Sequence, residues 1–233
     1  MMPDSDLPDG PYVNVGSGPS NPDGWINFDG SVQARIAGHP WLAPLSRRLA
    51  GVDAGHWPRG IRHLDIRRGL PFRGGAVTAV YASHVLEHLH RNETVAFLAH
   101  VRDLLQPGGV CRVVVPDVHA IVNWYLSHRG EPTSQRTQSS SDLLMGMMML
   151  RPRDARPASG LTGFIRRRTD LHEHKWMYDQ EGLLAVFEDA GFVRPEPRSY
   201  LESAIARALL ERVERADRMC DGAGVCVEAR KDR

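Results

Sequence analysis

Near its N-terminus the chain reads Tyr12-Val13-Asn14-Val15-Gly16-Ser17-Gly18, an apolar run that ends in Gly-x-Gly. An apolar run bounded by glycines and a following proline predicts a short buried strand. Glycines just beyond a strand allow the backbone to approach a ligand that any Cβ would obstruct. The turn after this strand is therefore a candidate binding site.

Two further strand-like segments each present an acidic residue. The segment 25–29 ends in Asp29, and the segment 63–66 contains Asp65. A nucleoside ligand needs open backbone at its charged end, a carboxylate for the ribose hydroxyls and a polar group for the base. The three segments together predict such a site. A dinucleotide site would want a third glycine where the chain has Asn21, which argues against a nicotinamide dehydrogenase.

The composition is that of an ordinary globular protein. The 233 residues are 42% hydrophobic and 24% charged, and the formal net charge is +1. We expect a single domain over residues 1–233, and the charge gives no reason to expect binding to nucleic acid or to a membrane. The N-terminus does not resemble a signal peptide, and no apolar run is long enough to span a membrane. Three cysteines without Cys-x-x-Cys spacing favour a reduced, cytoplasmic protein.

Strands and helices alternate along the rest of the chain. Strands are predicted at 77–82, 110–115 and 225–229, and helices at 41–49, 84–89, 93–105 with Asn92 as its cap, 180–190 with Asp179 as its cap, and 203–218. This alternation predicts a doubly wound, mostly parallel α/β sheet, which binds ligands beyond the C-terminal ends of its strands. Residues 130–174 break the pattern and are interpreted as a lid or substrate-binding insertion.

Six segments, in this order, resemble the class I S-adenosylmethionine-dependent methyltransferases of the small bacterial type-11-like group. The segments are VNVGSGPSNPDGWINFDGS, LDIRRGLPF, VYASHVLEHL, LLQPGGVCRVVVPD, HKWMYDQEGLLAVFEDAGF and CVEARK. The resemblance implies a Rossmann-like, seven-stranded, mostly parallel sheet with a lid insertion. It also implies S-adenosylmethionine as cofactor, S-adenosylhomocysteine as product, and methyl transfer to an oxygen or nitrogen of a small polar acceptor, such as a sugar or an anionic compound.

The resemblance also assigns cofactor contacts by position. It places Asn14, Gly16, Ser17 and Gly18 at the methionine part, Asp29 at the ribose, Asp65 and Ile66 at the adenine, and Ala82, Ser83 and His84 near the sulfonium and carboxylate. Two departures stand out. Only ten residues separate Gly18 from Asp29, so the first crossover helix must be reduced to a loop. Asn14 replaces the usual carboxylate and could accept a hydrogen bond from the ammonium group. A non-catalytic cofactor-binding domain is therefore an alternative.

The sequence H-x-x-E-H, formed by His84, Glu87 and His88, has a spacing that allows metal binding on a helix. It resembles the E-x-x-E-H metal site of the small-RNA and ubiquinone-pathway O-methyltransferases, with His84 in place of the first Glu. His172 or His174 could complete the set, so a metal-assisted O-methyltransferase is a second alternative. We expect no metal, because His84 follows a strand where backbone contacts to the cofactor belong.

Three residues are predicted to act in catalysis: His174, Tyr178 and His84. The first two precede a helix that should return to the ligand end of the sheet, where they could orient or deprotonate the acceptor. The alternative is that Trp176 and Tyr178 merely pack the lid. Arginines concentrated in 151–168 could bind an anionic acceptor or simply face solvent. We expect a small-molecule acceptor as partner, and no pattern in the sequence sets the oligomeric state.

Overall fold

The computed structural model describes residues 9–39, 57–129, 139–149 and 173–232. Several sequence predictions lie outside these residues: the helix at 41–49, the arginine-rich stretch 151–168, His172 and most of the proposed lid. The described residues form one seven-stranded sheet with the strand order β3-β2-β1-β4-β5-β7-β6. The predicted seven-stranded α/β fold is confirmed.

The strands of this sheet are β1 (Tyr12–Val15), β2 (Trp25–Asp29), β3 (Arg62–His63), β4 (Val77–Ser83), β5 (Leu105–Pro116), β6 (Glu196–Pro197) and β7 (Gly224–Arg230). The helices are α1 (Val32–Ala37), α2 (Arg91–Leu104), α3 (Val118–His128), α4 (Ser140–Met147), α5 (Gln180–Asp189) and α6 (Arg207–Leu210). Strands β1 to β5 are parallel to one another, and β7 is antiparallel to both β5 and β6. The sheet is therefore mostly parallel, as predicted.

Both faces of the sheet are covered, which explains why its central strands are almost entirely buried. All seven residues of β4 are buried. One face carries Val13 and Val15 and packs against α2 and α5. The other face carries Trp25, Tyr81 and Val114 and is covered by the segment 201–219. Among the described residues, no helix combines the length and the apolar character needed to cross a bilayer.

The connection between β1 and β2 is the predicted loop: the described residues 16–24 form turns and no helix. The prediction of one long helix over 203–218 is wrong, because only α6 and the 3-10 turn Ala216–Arg218 are helical there. The reason is that this segment turns polar groups inward. Carbonyl oxygens of Ser199 and Glu202 and the carboxylate of Glu214 converge on Arg112 of β5, which a straight helix could not achieve.

Local departures occur at three other predicted elements. The predicted strand 63–66 ends at His63, and Asp65 caps the 3-10 turn Ile66–Arg68 instead. The predicted helix 84–89 is only the 3-10 turn Leu86–His88, since His84 adopts a left-handed backbone with φ of 56°. Helix α2 begins before the predicted cap, and the Glu93 carboxylate accepts the backbone N–H of His90 at 2.9 Å.

Candidate active site

The predicted cofactor-binding residues meet at one edge of the sheet. The Gly-x-Gly turn follows β1, Asp29 ends β2, Asp65 follows β3, and β4 ends at Ser83. Val15 of β1 lies opposite both Phe28 of β2 and Ala82 of β4, so these parallel strands end at the same level. Polar groups from four neighbouring strands therefore share the C-terminal edge, where such sheets bind ligands.

Asp29 lies against the glycine-rich turn. The backbone N–H of Gly18 donates to its Oδ2 at 2.9 Å, and that of Ser31 donates to its Oδ1 at 2.8 Å. A carboxylate has about four acceptor positions, so each oxygen can still accept from a further donor. The shortened connection thus keeps this carboxylate beside the turn and able to receive two hydroxyl groups.

The two glycines of the turn serve different purposes. Both have left-handed backbones, with φ of 70° at Gly16 and 58° at Gly18. A Cβ at position 16 would overlap the Cγ2 atom of Val85, so packing within the protein requires that glycine. A Cβ at position 18 would meet no atom within 4 Å among the described residues. A side chain at position 18 would therefore enter open space, so Gly18 is the glycine that leaves space for a ligand. The sequence had predicted this role for both glycines.

Asn14 and Ser17 have local hydrogen-bond partners. The amide nitrogen of Asn14 donates to Oδ1 of Asn27 on β2 at 2.9 Å, and Asn14 is almost fully buried. An ammonium group would therefore have to use its Oδ1, the acceptor atom that the sequence analysis proposed. The hydroxyl of Ser17 donates to the carbonyl oxygen of Gly18 at 3.2 Å, within the turn itself.

Asp65 is held by an arginine that follows it closely. Arg67 donates to its carboxylate from the backbone, from Nε at 2.9 Å and from Nη2 at 2.8 Å. This hydrogen-bonded ion pair lowers the pKa of Asp65. The neighbouring Ile66 packs against the hydrophobic core. In the pair predicted to flank an adenine, the Asp65 carboxylate thus already accepts hydrogen bonds from Arg67, and the Ile66 side chain is held by the core.

The end of β4 lies beside a guanidinium group that the sequence analysis did not single out. Ala82 and Ser83 are buried, and the backbone N–H of His84 donates to Val114 at 2.9 Å. Nη1 of Arg218 lies 3.4 Å from both the carbonyl and the hydroxyl oxygen of Ser83. Nothing near position 218 in the sequence indicates this, because the contact depends on how the segment 201–219 crosses the sheet.

Glu87 is the most unusual side chain near this edge. It is fully buried, and neither carboxylate oxygen has a hydrogen-bond partner among the residues that the structure describes. Burial raises the pKa of Glu87 to about 8. Its Oε1 lies 3.5 Å from Nδ1 of His84, whose pKa is lowered to about 4 by burial. A buried polar group without partners normally has a functional or ligand-dependent explanation.

His174 approaches the same carboxylate from a distant part of the chain. Its Nε2 lies 3.9 Å from Oε1 of Glu87, and its ring meets that of His88 edge to face with centroids 5.0 Å apart. Burial lowers the pKa of His174. Ligand atoms of Glu87, His88 and His174 all lie within 4.8 Å of one another. These three residues could hold a metal ion.

Comparison with known proteins gives one family match. Residues 41–113 match the family model described as a methyltransferase domain. Over that part of the chain, this match confirms the resemblance to methyltransferases. No curated protein sequence matches the chain.

The solved structures that resemble this chain are distant. CurJ carbon methyltransferase is 16% identical with a TM-score of 0.46, and the match covers 98% of this chain and 50% of that one. An Archaeoglobus fulgidus SAM-dependent methyltransferase is 12% identical with a TM-score of 0.46 and coverages of 95% and 86%. A Mesorhizobium loti S-adenosylmethionine-dependent methyltransferase is 16% identical with a TM-score of 0.43 and coverages of 99% and 94%. The chain spans half of the CurJ chain, and likenesses this distant say nothing about substrate.

Tyr178 lies in the core of the fold rather than at the strand edge. Its side chain is 1% exposed, and its hydroxyl donates to Oγ1 of Thr94 on α2 at 3.0 Å. Its backbone forms a parallel bridge with Asp117, just after β5. The only polar side-chain atom of Tyr178 is hydrogen-bonded inside the core rather than in the lid, so this geometry does not favour the catalytic role, which stays a prediction.

An open groove of about 980 Å³ adjoins the C-terminal edge of the parallel strands. It lies between the end of β5 and the start of β7, away from the glycine-rich turn. Its lining combines apolar surface with the charged residues Asp117, Asp179, Glu181, Arg198 and Asp221. Cys220 and Met219 also line it, and they directly follow Arg218. The groove thus lies across β5 from the end of β4, on the side away from Asp29.

Proposed function

We propose that this protein is an S-adenosylmethionine-dependent methyltransferase that transfers a methyl group to an oxygen or nitrogen atom of a small polar acceptor. One observation carries the proposal: the Gly18 N–H donates to Asp29 at the C-terminal edge of a methyltransferase-type sheet. That contact sets a carboxylate for ribose hydroxyls beside backbone that is open to a ligand. The family match over residues 41–113 supports the choice of cofactor.

The remaining cofactor contacts follow the order of the strands. The turn that carries Ser17 and Gly18 receives the methionine part, and the Asn14 oxygen is available to its ammonium group. Asp29 binds the ribose, and Asp65 with Ile66 flanks the adenine. The sulfonium then lies near the end of β4, at Ala82, Ser83 and His84. The Arg218 guanidinium beside Ser83 offers a partner to a carboxylate of the cofactor or the acceptor.

The reaction is an in-line displacement. The lone pair of the acceptor oxygen or nitrogen forms a bond to the methyl carbon while the carbon–sulfur bond breaks. The electron pair of that bond goes to sulfur, which gives S-adenosylhomocysteine, and the acceptor loses its proton. The cofactor supplies a good leaving group, so positioning accounts for much of the rate. A base is needed only for an acceptor that is protonated at working pH, and His174 is our candidate.

The acceptor is proposed to enter through the open groove between β5 and β7. Its lining of carboxylates with Arg198 suits a hydroxyl- or amine-bearing compound better than an apolar one. We also propose a cytoplasmic location. In the described part of the chain, Cys111, Cys220 and Cys226 are all free thiols, as expected in a reducing compartment.

Isothermal calorimetry tests the cofactor, and a labelled methyl group tests the reaction. We expect S-adenosylmethionine and S-adenosylhomocysteine to bind, and the oxidised nicotinamide dinucleotide not to bind. A panel of sugars, hydroxy acids and amines then receives label from methyl-labelled cofactor. Binding of the nicotinamide dinucleotide alone would refute the proposal. Tight binding of S-adenosylhomocysteine with no transfer to any acceptor would favour the alternative of a non-catalytic cofactor-binding domain.

A further inference from the structure

The carboxyl group of Glu87 lies in a setting that requires a partner. Its side chain is fully buried, and neither oxygen accepts a hydrogen bond from any described residue. Buried carboxylates are normally hydrogen-bonded, paired with a cation or coordinated to a metal. Ring nitrogen atoms of His84 and His174 lie 3.5 and 3.9 Å from Oε1. Those distances are too long for hydrogen bonds and leave space between the groups.

The fold fixes the two chain segments of this cluster against each other. Backbone N–H groups of Lys175 and Trp176 donate to the carbonyl oxygen of Glu87 at 2.7 and 3.2 Å. The backbone N–H of His174 in turn donates to the carbonyl oxygen of Met149 at 3.2 Å. The His174 ring is therefore brought to the buried carboxylate by main-chain bonds on both sides. An arrangement held in this way is preorganised for a ligand.

We propose that Glu87, His88 and His174 form a binding site for a divalent first-row transition metal ion, with Zn²⁺ as the best fit. One carboxylate and two imidazoles are a ligand set that suits Zn²⁺ and its neighbours, whereas Mg²⁺ and Ca²⁺ prefer oxygen ligands only. Ligand atoms about 2.1 Å from a tetrahedral ion lie roughly 3.5 Å apart. The three ligand atoms here already lie within 4.8 Å of one another, so rotations of the side chains complete the site.

This inference changes the metal-free expectation drawn from the sequence. That expectation assumed that His84 would be a ligand and that the cofactor would leave no space for an ion beside it. In the structure, the H-x-x-E-H segment is a 3-10 turn after a left-handed His84, and the third member of the cluster is His174 instead. His84 remains at the end of β4, free to face the cofactor.

The role of the ion rests on the proposed function and replaces one part of it, because a His174 that binds the ion through its ring nitrogen does not also act as the general base. Three protein ligands leave a fourth position open, as in catalytic zinc sites. Glu87 follows the β4 end, where the sulfonium is expected, by only a few residues. An acceptor hydroxyl that occupies the open position would have its pKa lowered and its oxygen held near the methyl group. The site therefore selects a hydroxyl-bearing acceptor and O-methylation over N-methylation.

Binding of the metal alone tests the site without any acceptor. Untagged protein is stripped with chelator and titrated with Zn²⁺ by calorimetry and with Co²⁺ by visible absorption. We expect one ion per chain, a Co²⁺ spectrum typical of low coordination number, and a higher melting temperature with Zn²⁺. Glu87→Gln and His174→Ala should each weaken Zn²⁺ binding at least about tenfold. His119→Ala, which removes an exposed imidazole on α3, should leave it unchanged.

Glu87→Gln has nearly the same shape as the native residue and loses no hydrogen bond made among the described residues, so it should fold. His88→Asn provides a second variant in which Zn²⁺ binding should be weakened. Failure of wild-type protein to bind Zn²⁺ and Co²⁺, or equal affinity in wild type and Glu87→Gln, would overturn the site. Calorimetry with S-adenosylhomocysteine on the metal-free protein separates the two proposals. If wild-type protein binds the cofactor but no metal, only the metal site is refuted. If wild-type protein does not bind the cofactor, the proposed function is refuted.

Discussion

Arg112, in the middle of β5, donates its Nε hydrogen to Oε1 of Glu214 at 2.7 Å, and neither side chain is exposed. The same guanidinium donates to the carbonyl oxygens of Ser199 and Glu202, and to Glu228 of β7 at 3.2 Å. It thereby attaches the segment 201–219 to the sheet face opposite α2 and α5. Because Arg218 lies at the end of that segment, the network also positions a cation at the candidate active site.

We expect Arg112→Met to lower the free energy of unfolding by about 3–5 kcal/mol, because two buried carboxylates would lose their cation. Urea unfolding followed by circular dichroism measures this. The matched control is Arg207→Met, which breaks an exposed pair with Glu211 on α6 and should cost less than about 1 kcal/mol. Equal costs for the two variants would show that the buried network contributes little.

Gly18→Ala should abolish or strongly weaken S-adenosylhomocysteine binding, by at least about tenfold, since the added Cβ would occupy the space that the ligand needs. Gly75→Ala is the matched control. Both glycines are left-handed, and a Cβ at either would meet no described atom within 4 Å, but Gly75 lies at the opposite edge of the sheet, before β4. Both variants should lose similar stability, so calorimetry isolates the ligand effect. Similar affinities of the two variants for S-adenosylhomocysteine would show that the cofactor does not bind against Gly18.

Asp29→Ala should weaken S-adenosylhomocysteine binding by about 1–3 kcal/mol through the loss of charge-assisted hydrogen bonds to the ribose. Asp65→Ala should cost less, because its carboxylate is already shared with Arg67. Asp179→Ala is the control: it removes the cap of α5 and about 1 kcal/mol of stability, and should leave cofactor affinity unchanged. Normal binding by Asp29→Ala would contradict the ribose assignment.

Tyr178→Phe should retain methyl transfer and lose about 1 kcal/mol of stability, because it leaves the Thr94 hydroxyl buried without its partner. The double variant with Thr94→Val should recover part of that loss, since both polar groups are then removed. His174→Ala, in contrast, should lower kcat more than cofactor affinity. Chemical denaturation and steady-state kinetics measure these effects. A large fall in kcat for Tyr178→Phe would restore the catalytic role predicted from the sequence.

Features encoded within short stretches could be predicted from the sequence. Buried parallel strands are mostly apolar, so β1, β4 and β5 were recognisable, and Asp179 was correctly predicted to cap α5. The glycine-rich turn and Asp29 are neighbours along the chain, and the loop between them is too short to hold a helix. Their proximity at the strand edge was therefore predictable as well.

Contacts between distant parts of the chain were decided only by the tertiary structure. No local pattern shows that Arg112 in an apolar strand pairs with Glu214, or that the Tyr178 hydroxyl turns inward to Thr94. The H-x-x-E-H motif drew attention to Glu87. The burial of Glu87 without a hydrogen-bond partner and its approach to His174, however, depend on backbone hydrogen bonds between two remote segments. Sequence patterns report the conformation and the exposed side of a segment. The partner of a buried polar group is determined by which segments pack together.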